Sequence, residues 1–239
     1  MMSRWASLLA VQEHDTRADQ LNHRMQTLPI RSDLAQLENN VLAVDGQLAD
    51  AQRRRDELGR SQQRLEDEIA SLSERANQAE KQLYSGAVTN PRELQALQDD
   101  VASIRRRIGQ LEDDELEIME LVEPVDAERS QLAGQRDRLD AEGERLRAAL
   151  AEAESELAAQ LAAVQGEREA VAAEVPADLW PEYDKLRARF GGVGIARLVG
   201  STCQGCHLAL PAVEVDRIRK LSLDEAVYCE ECGRLLVRD

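Results

Sequence analysis

Aromatic residues are scarce: two tryptophans, three tyrosines and one phenylalanine in 239 residues. So few large rings cannot fill the interior of a globular protein of this length. No apolar run approaches the ~20 residues a helix needs to cross a bilayer, so a membrane span is not expected. The N-terminus, from Met1 to His14, has no sustained apolar core and no cleavage pattern of a secretory signal. A cytoplasmic location is therefore expected. There is no glycine-rich phosphate loop, and His14, His23 and His207 do not cluster with a nucleophile. Catalysis is not expected. Lysine occurs only at Lys81, Lys185 and Lys220, and the other basic residues are arginine.

What remains is rich in Ala, Leu, Glu, Arg and Gln, 32% charged, with a net charge of −16. That composition reads as long helix or coiled coil. The charge is uneven. From Trp180 onward nine basic residues balance nine acidic ones, so the acidic excess lies upstream. An acidic coil repels a phosphate backbone, which leaves any nucleic-acid contact to the C-terminal segment.

From Leu34 to Leu83 apolar residues recur at alternating steps of three and four, through Leu37, Val41, Val44, Leu48, Ala51, Leu58, Leu65, Ile69, Leu72 and Ala76. Arg55 and Gln62 are the polar interruptions. The pattern restarts at Leu94 and continues through Val101, Ile104, Leu111, Val125, Leu132, Leu157 and Val164 to Val171. Sustained heptads predict coiled coil. Between the runs lies Tyr84-Ser85-Gly86-Ala87-Val88-Thr89-Asn90-Pro91. Asn90 suits a helix cap, Pro91 the first turn, and Glu93 the third position of a capping box. This turn chemistry favours an intramolecular antiparallel hairpin over a parallel dimer, with the tip at 84–91. Arg53-Arg54-Arg55 should fall level with Glu117, Glu120 and Glu123. Arg105-Arg106-Arg107 should fall level with Glu66, Asp67, Glu68 and Glu74. A short helix, about residues 4 to 27, should precede a break at Leu28-Pro29-Ile30-Arg31-Ser32, with Ser32 capping the next segment. Trp5, Leu8, Val11, Leu21, Met25 and Leu28 would form its contact face against the base of the third helix. Pro124 should kink that helix, and Arg129, Arg136 and Gly143 should loosen its seam.

The four cysteines are Cys203-Gln-Gly-Cys206 and Cys229-Glu-Glu-Cys232, two C-x-x-C pairs with 22 residues between them. That spacing is close to a four-cysteine zinc site. Two thiols from each tight turn complete a tetrahedron with no open position, so the ion, one structural Zn²⁺, would hold structure and not activate water. Cys203-Gln-Gly-Cys206-His207 also matches a c-type haem attachment pattern, but that reading needs export and leaves the second pair unexplained. Structural disulfides need export as well, and a redox pair wants a thioredoxin-like context that is not visible. His207 reads as a flanking turn residue.

Around these turns, Asp178 should cap a helix at Trp180–Phe190. Strands are expected at Ile195–Val199, Ala226–Tyr228 and Leu235–Val237, with a helix at Pro211–Leu221. Arg217, Arg219, Lys220 and Arg234 are candidates to offset the charge of the thiolates or to contact phosphate. Trp180, Tyr183 and Tyr228 would serve base stacking only if exposed beside them.

The tip sequence Leu83–Leu94, together with Cys203-Gln-Gly-Cys206-His207 and Cys229-Glu-Glu-Cys232-Gly233-Arg234, resembles a bacterial family of coiled-coil proteins ending in a C4-type zinc ribbon. Glu230 stands where a ribbon knuckle often has proline. The resemblance implies a mainly α fold: a long antiparallel coiled-coil hairpin over 1–177 and a small α+β zinc ribbon over 178–239. It also implies an adaptor or chaperone-like regulator. Members of the family are linked to binding transcription or export proteins, and some to RNA. A non-enzymatic adaptor is thus expected, monomeric or weakly dimeric. It would bind unidentified protein partners through its coil, its ribbon and the tip residues Tyr84, Val88, Thr89, Asn90, Pro91 and Glu93. RNA or DNA binding through the ribbon is the alternative.

Overall fold

The computed structural model describes residues 5–238. Three long helices come first: α1 (Ala6–Gln26), α2 (Pro29–Tyr84) and α3 (Pro91–Ala172). A 3₁₀ turn (Ala177–Leu179) leads to α4 (Trp180–Arg189), β1 (Ile195–Val199), β2 (Thr202–Cys203), α5 (Ala212–Lys220) and β3 (Leu235–Val237). Among the described residues no helix is long and apolar enough to cross a membrane. The architecture is a long helical hairpin with a small C-terminal sheet. The chain separates into two compact units, 33–145 and a second made of residues up to 32 together with 146 onward.

In the unit spanning 33–145, the heptad seam is the buried stripe. Leu37, Val44 and Ala51 of α2 are buried, as are Ile104, Leu111, Val125 and Leu132 of α3. Within each series the spacing is seven or a multiple of it, which keeps one face of each helix toward its partner. Val44, Ala51 and Leu132 form one cluster, with Leu48 and Leu139 against it. Each large apolar side chain fully buried there contributes about 1.5–3 kcal/mol. Arg55 is half-buried in the seam and meets Asp126 at 3.1 Å. Arg136 meets Asp45 at 2.8 Å and also pairs with Asp140. α3 runs unbroken through Pro124. Just beyond it an open cleft of about 650 Å³ lies beside Leu48, Gln52, Asp126 and Arg129.

The charge register differs from the sequence expectation. Arg54 meets Glu128 at 2.8 Å and Arg55 meets Asp126, not Glu117, Glu120 or Glu123. Arg107 does reach Glu68 (3.1 Å), while Arg105 pairs with Glu80 at 2.5 Å. Exposed ion pairs are too weak to set the stagger, which the apolar seam decides.

The other unit has its own core. Trp5, just before α1, and Leu8, Leu9 and Val11 of α1 are buried with Val175, Leu179, Tyr183, Leu186, Ile195, Leu235 and Val237. The first helix therefore packs into the same cluster as the C-terminal strands, and Leu21, Met25 and Leu28 of its expected face are only half-buried. Residue 4, where that helix was expected to begin, lies outside the described residues. The break after α1 is shorter than expected. α2 begins at Pro29 rather than after Ser32, because a proline at the first helical position gives up a donor that has no intrahelical partner.

Two polar side chains of α1 sit inside this unit. Gln12 Nε2 donates to the Ile195 carbonyl and Gln12 Oε1 accepts from the Ile195 N–H, each at 2.7 Å. A side-chain amide thus satisfies both backbone groups of the first residue of β1. Asp15 accepts from Tyr183 Oη (2.5 Å) and Arg168 Nε (2.6 Å), with Arg187 Nη1 at 3.3 Å.

The sheet order is β2-β1-β3. β1 runs antiparallel to β2, with Leu198 opposite Cys203, and parallel to β3, with Ile195 opposite Leu235. Ala226–Tyr228 does not form the expected strand and gives only a single bridge, Tyr228 to Leu235. α4 ends at Arg189, and Asp178 lies inside the 3₁₀ turn instead of capping α4.

Candidate metal centre

The two C-x-x-C turns share one backbone design. In the first, the Cys203 carbonyl accepts from the His207 N–H at 2.8 Å, and the Cys203 N–H donates to the Leu208 carbonyl at 3.0 Å. In the second, the Cys229 carbonyl accepts from the Gly233 N–H at 2.7 Å, and the Cys229 N–H donates to the Arg234 carbonyl at 2.8 Å. The fifth residue of each turn has a left-handed backbone: His207 at φ 60° and Gly233 at φ 73°. His207 is exposed and occupies the place that glycine holds in the other turn. Its role there is conformational, at a cost of roughly 1–2 kcal/mol for a residue with a Cβ.

The turns bring all four sulfurs within 4.8 Å of one another. Cys203 Sγ lies 4.0 Å from Cys232 Sγ, and Cys206 Sγ lies 3.9 Å from Cys229 Sγ. A tetrahedral site with Zn–S bonds of ~2.3 Å requires sulfurs roughly 3.8 Å apart. All four thiols are free of disulfides. The donor set and its dimensions fit one zinc ion with no open coordination position. Burial pushes the Cys203 thiol up and the Cys229 thiol up to about 12. Burial also opposes ionisation of Cys232. There the bonds from the Arg234 backbone and side chain and from neighbouring thiols prevail, and its value falls to about 7. A divalent cation is what allows four crowded thiols to ionise together.

Around the sulfurs, Ala196, Leu210, Val215, Ile218, Val227 and Leu236 pack with Cys203 and Cys229 into a second buried cluster. The Gly205 N–H donates to Cys203 Sγ at 3.4 Å. A Cβ at Gly205 would come within 2.7 Å of Arg234 Cδ and 2.9 Å of Ala196 Cβ, so close approach demands glycine. Arg234 is fixed by its bond to the Val193 carbonyl (2.8 Å) and by the Phe190 ring 5.3 Å away.

The other cationic candidates make no hydrogen bond to a thiol among the described residues. Arg217 is held by Glu214 at 2.8 and 2.5 Å. Arg219 and Lys220 are exposed and make no ion pair among the described residues. Tyr183 is buried and Trp180 packs edge-on against it at 5.9 Å. Tyr228 is part-exposed and donates to Glu182 at 3.0 Å. These rings do not form an exposed stacking platform.

At the hairpin tip, Asn90 Oδ1 accepts from the Arg92 N–H at 3.0 Å, an N-cap bond. Glu93 makes no return bond to Asn90 among the described residues. Gly86 turns the chain with φ 75°, and Ser85 Oγ accepts from the Ala87 N–H at 3.2 Å. Tyr84 is 83% exposed. Thr89, Asn90, Pro91 and Glu93 are exposed and Val88 is half-buried.

A feature that sequence reasoning missed is Arg238. Its guanidinium donates to the carbonyls of Ile218, Leu221, Ser222 and Glu225 at 2.5 to 3.3 Å. It closes the C-terminal end of α5, where carbonyls lack helical partners. Its place near the end of the chain gave no signal.

The fold and the site define a helical coiled-coil hairpin carrying a C4 zinc ribbon. The chain belongs to the CT398-like coiled-coil hairpin family, whose model matches residues 11–191, and a C4-type zinc ribbon model matches 202–236. It is 30% identical over 232 residues to the uncharacterized protein Rv2229c of Mycobacterium tuberculosis, covering 97% of this chain and 94% of that one. A solved structure from Mycobacterium smegmatis matches with a TM-score of 0.87 at 28% identity, covering all of both chains. CT398 from Chlamydia trachomatis has the same fold, with a TM-score of 0.71 at 19% identity over 99% of this chain and 98% of that one.

Proposed function

We propose that the protein is a non-enzymatic, zinc-stabilised adaptor of the cytoplasm that binds other proteins through its coil, its hairpin tip and its ribbon. It would act as a monomer or weak dimer. The single observation that supports this most is Tyr84. Of six aromatic residues, five lie in the unit containing the ribbon. The sixth stands 83% exposed at the tip, and exposed aromatics are enriched in binding anchors. The absence of catalysis is part of the proposal. Among the described residues the one cluster of potential metal ligands is the four cysteines, and a closed C4 site holds structure. A photocrosslinking residue at position 84 should capture a defined partner in cells, and altering Val88 to Glu93 should abolish that capture. Unchanged recovery of partners by the altered tip would remove the tip from the reading.

A second reading is nucleic-acid binding by the ribbon, favoured by Arg219 and Lys220 at the end of α5, which make no ion pair among the described residues. It predicts salt-sensitive RNA or DNA binding by the full chain that weakens in R219A/K220A. No detectable binding at low salt would remove it.

A further inference from the structure

Within 33–145 one stretch of α3 is unlike the rest. From Glu112 to Glu123 there are seven carboxylates, at Glu112, Asp113, Asp114, Glu115, Glu117, Glu120 and Glu123, and no basic residue. Among the described residues none of the seven forms an ion pair. Flanking acids do: Glu68, Glu80, Asp100, Asp126 and Glu128 are each held by an arginine. Arg64 of α2 donates to Ser61 instead of reaching these acids.

The same stretch exposes large apolar side chains. Leu116 is 57% exposed, Met119 49% and Leu121 57%. The seam needs none of them, because Leu111, Ile118, Val122 and Val125 already face the partner helix. Leu116 and Met119 are three residues apart, so they lie side by side on one face. Glu112 and Glu120 stand four residues either side of Leu116. Glu115 and Glu123 stand four residues either side of Met119. The result is an apolar pair framed by four carboxylates. Leu121 lies on the other flank of the helix and is not part of this face.

We propose that this face is a docking site for a basic amphipathic helix of a partner protein. The proposal rests on the adaptor reading above and names the chemistry of one partner segment. Leucine and methionine supply an adaptable apolar contact, and the carboxylate frame selects lysine and arginine around it. Simple cations would not need the exposed apolar pair, and a nucleic acid would be repelled by the frame. An incoming helix would lie along α3 as a third strand of the coil, its apolar residues at i and i+3 or i+4 against Leu116 and Met119.

The test uses the full-length zinc-loaded protein and a synthetic helix-forming peptide with leucines on one face and lysines and arginines on the other. Its control is a scrambled peptide of the same composition with no apolar face. Binding is followed by fluorescence anisotropy. The amphipathic peptide should bind at least about tenfold more tightly than the control, the ratio that ~1.4 kcal/mol of apolar contact gives. Leu116→Ser with Met119→Ser should erase that preference. Glu112→Gln with Glu120→Gln and Glu123→Gln should weaken both peptides and flatten the salt dependence. Leu121→Ser, on the other flank of the helix, should change neither. All these side chains are exposed, and unchanged melting of the variants checks that they fold. Equal binding of the two peptides, or indifference to the serine variant, overturns the docking site. In cells, crosslinks from position 84 but not from position 119 would overturn it while leaving the adaptor reading intact. Crosslinks from neither position would overturn both.

Discussion

The Tyr183 hydroxyl donates to Asp15 Oδ2 at 2.5 Å, joining α1 to α4 across 168 residues of sequence. Both residues are buried, and Arg168 and Arg187 converge on the same carboxylate. Burial and the Asp15 charge raise the Tyr183 hydroxyl far above its ordinary range, so it stays a donor. Burial also works against ionisation of Asp15. The bonds from Arg168 and Tyr183 and the charges of Arg168 and Arg187 outweigh it and hold the carboxyl below the usual range.

Asp15→Asn should therefore destabilise the unit that contains the ribbon. Removing one partner of a buried ion cluster costs on the order of 3 kcal/mol. The pH dependence has a definite sign. A carboxyl depressed in the folded state contributes stability that is full above its unfolded value of about 4 and is lost as pH falls through the folded value. Wild type should lose stability in acid more steeply than the Asn variant, as melting between neutral pH and the acid limb would register. Parallel pH profiles would contradict this assignment.

His207→Gly should raise stability by roughly 1 kcal/mol, because glycine relieves the left-handed backbone at φ 60°. Zinc content should stay at one ion per chain. Metal loss in this variant would make His207 a ligand and contradict the four-cysteine site.

Arg238→Ala should loosen the end of α5: the Leu221 and Glu225 carbonyls lose their donor, while those of Ile218 and Ser222 keep the N–H groups of Leu221 and Glu225. A cost of about 1–3 kcal/mol is expected from leaving the part-buried Leu221 carbonyl unpaired. Hydrogen exchange should accelerate at 218–225 and not in 33–145. Uniform exchange change across the chain would count against a local cap.

Much of this fold is legible in the sequence because its determinants are local. Leu37, Val44 and Ala51 announce the seam by their seven-residue spacing, and Asn90-Pro91 announces the start of α3. The cysteine pairs name their metal by spacing and count. The rest depends on distant contacts. Gln12 and Asp15 look like the polar face of α1, yet they pair with Ile195 and Tyr183 and lie inside. They are buried because α1 shares a core with β1 and β3 through Leu8, Leu9 and Val11, a relationship no pattern within α1 predicts. The pairing of Arg54 with Glu128 was missed for a different reason: acids occur so often along α3 that many staggers offer a partner. β2 is two residues long and exists only because the first cysteine turn folds back on β1.

One ion holding both cysteine turns is what organises the C-terminal fold. Metal analysis of freshly purified, reduced protein should find one zinc per chain. Hydrogen exchange after chelation should then show loss of protection at 195–237, with the helices of 33–145 still protected. Absence of stoichiometric zinc, or full protection of 195–237 after the metal is removed, would contradict it.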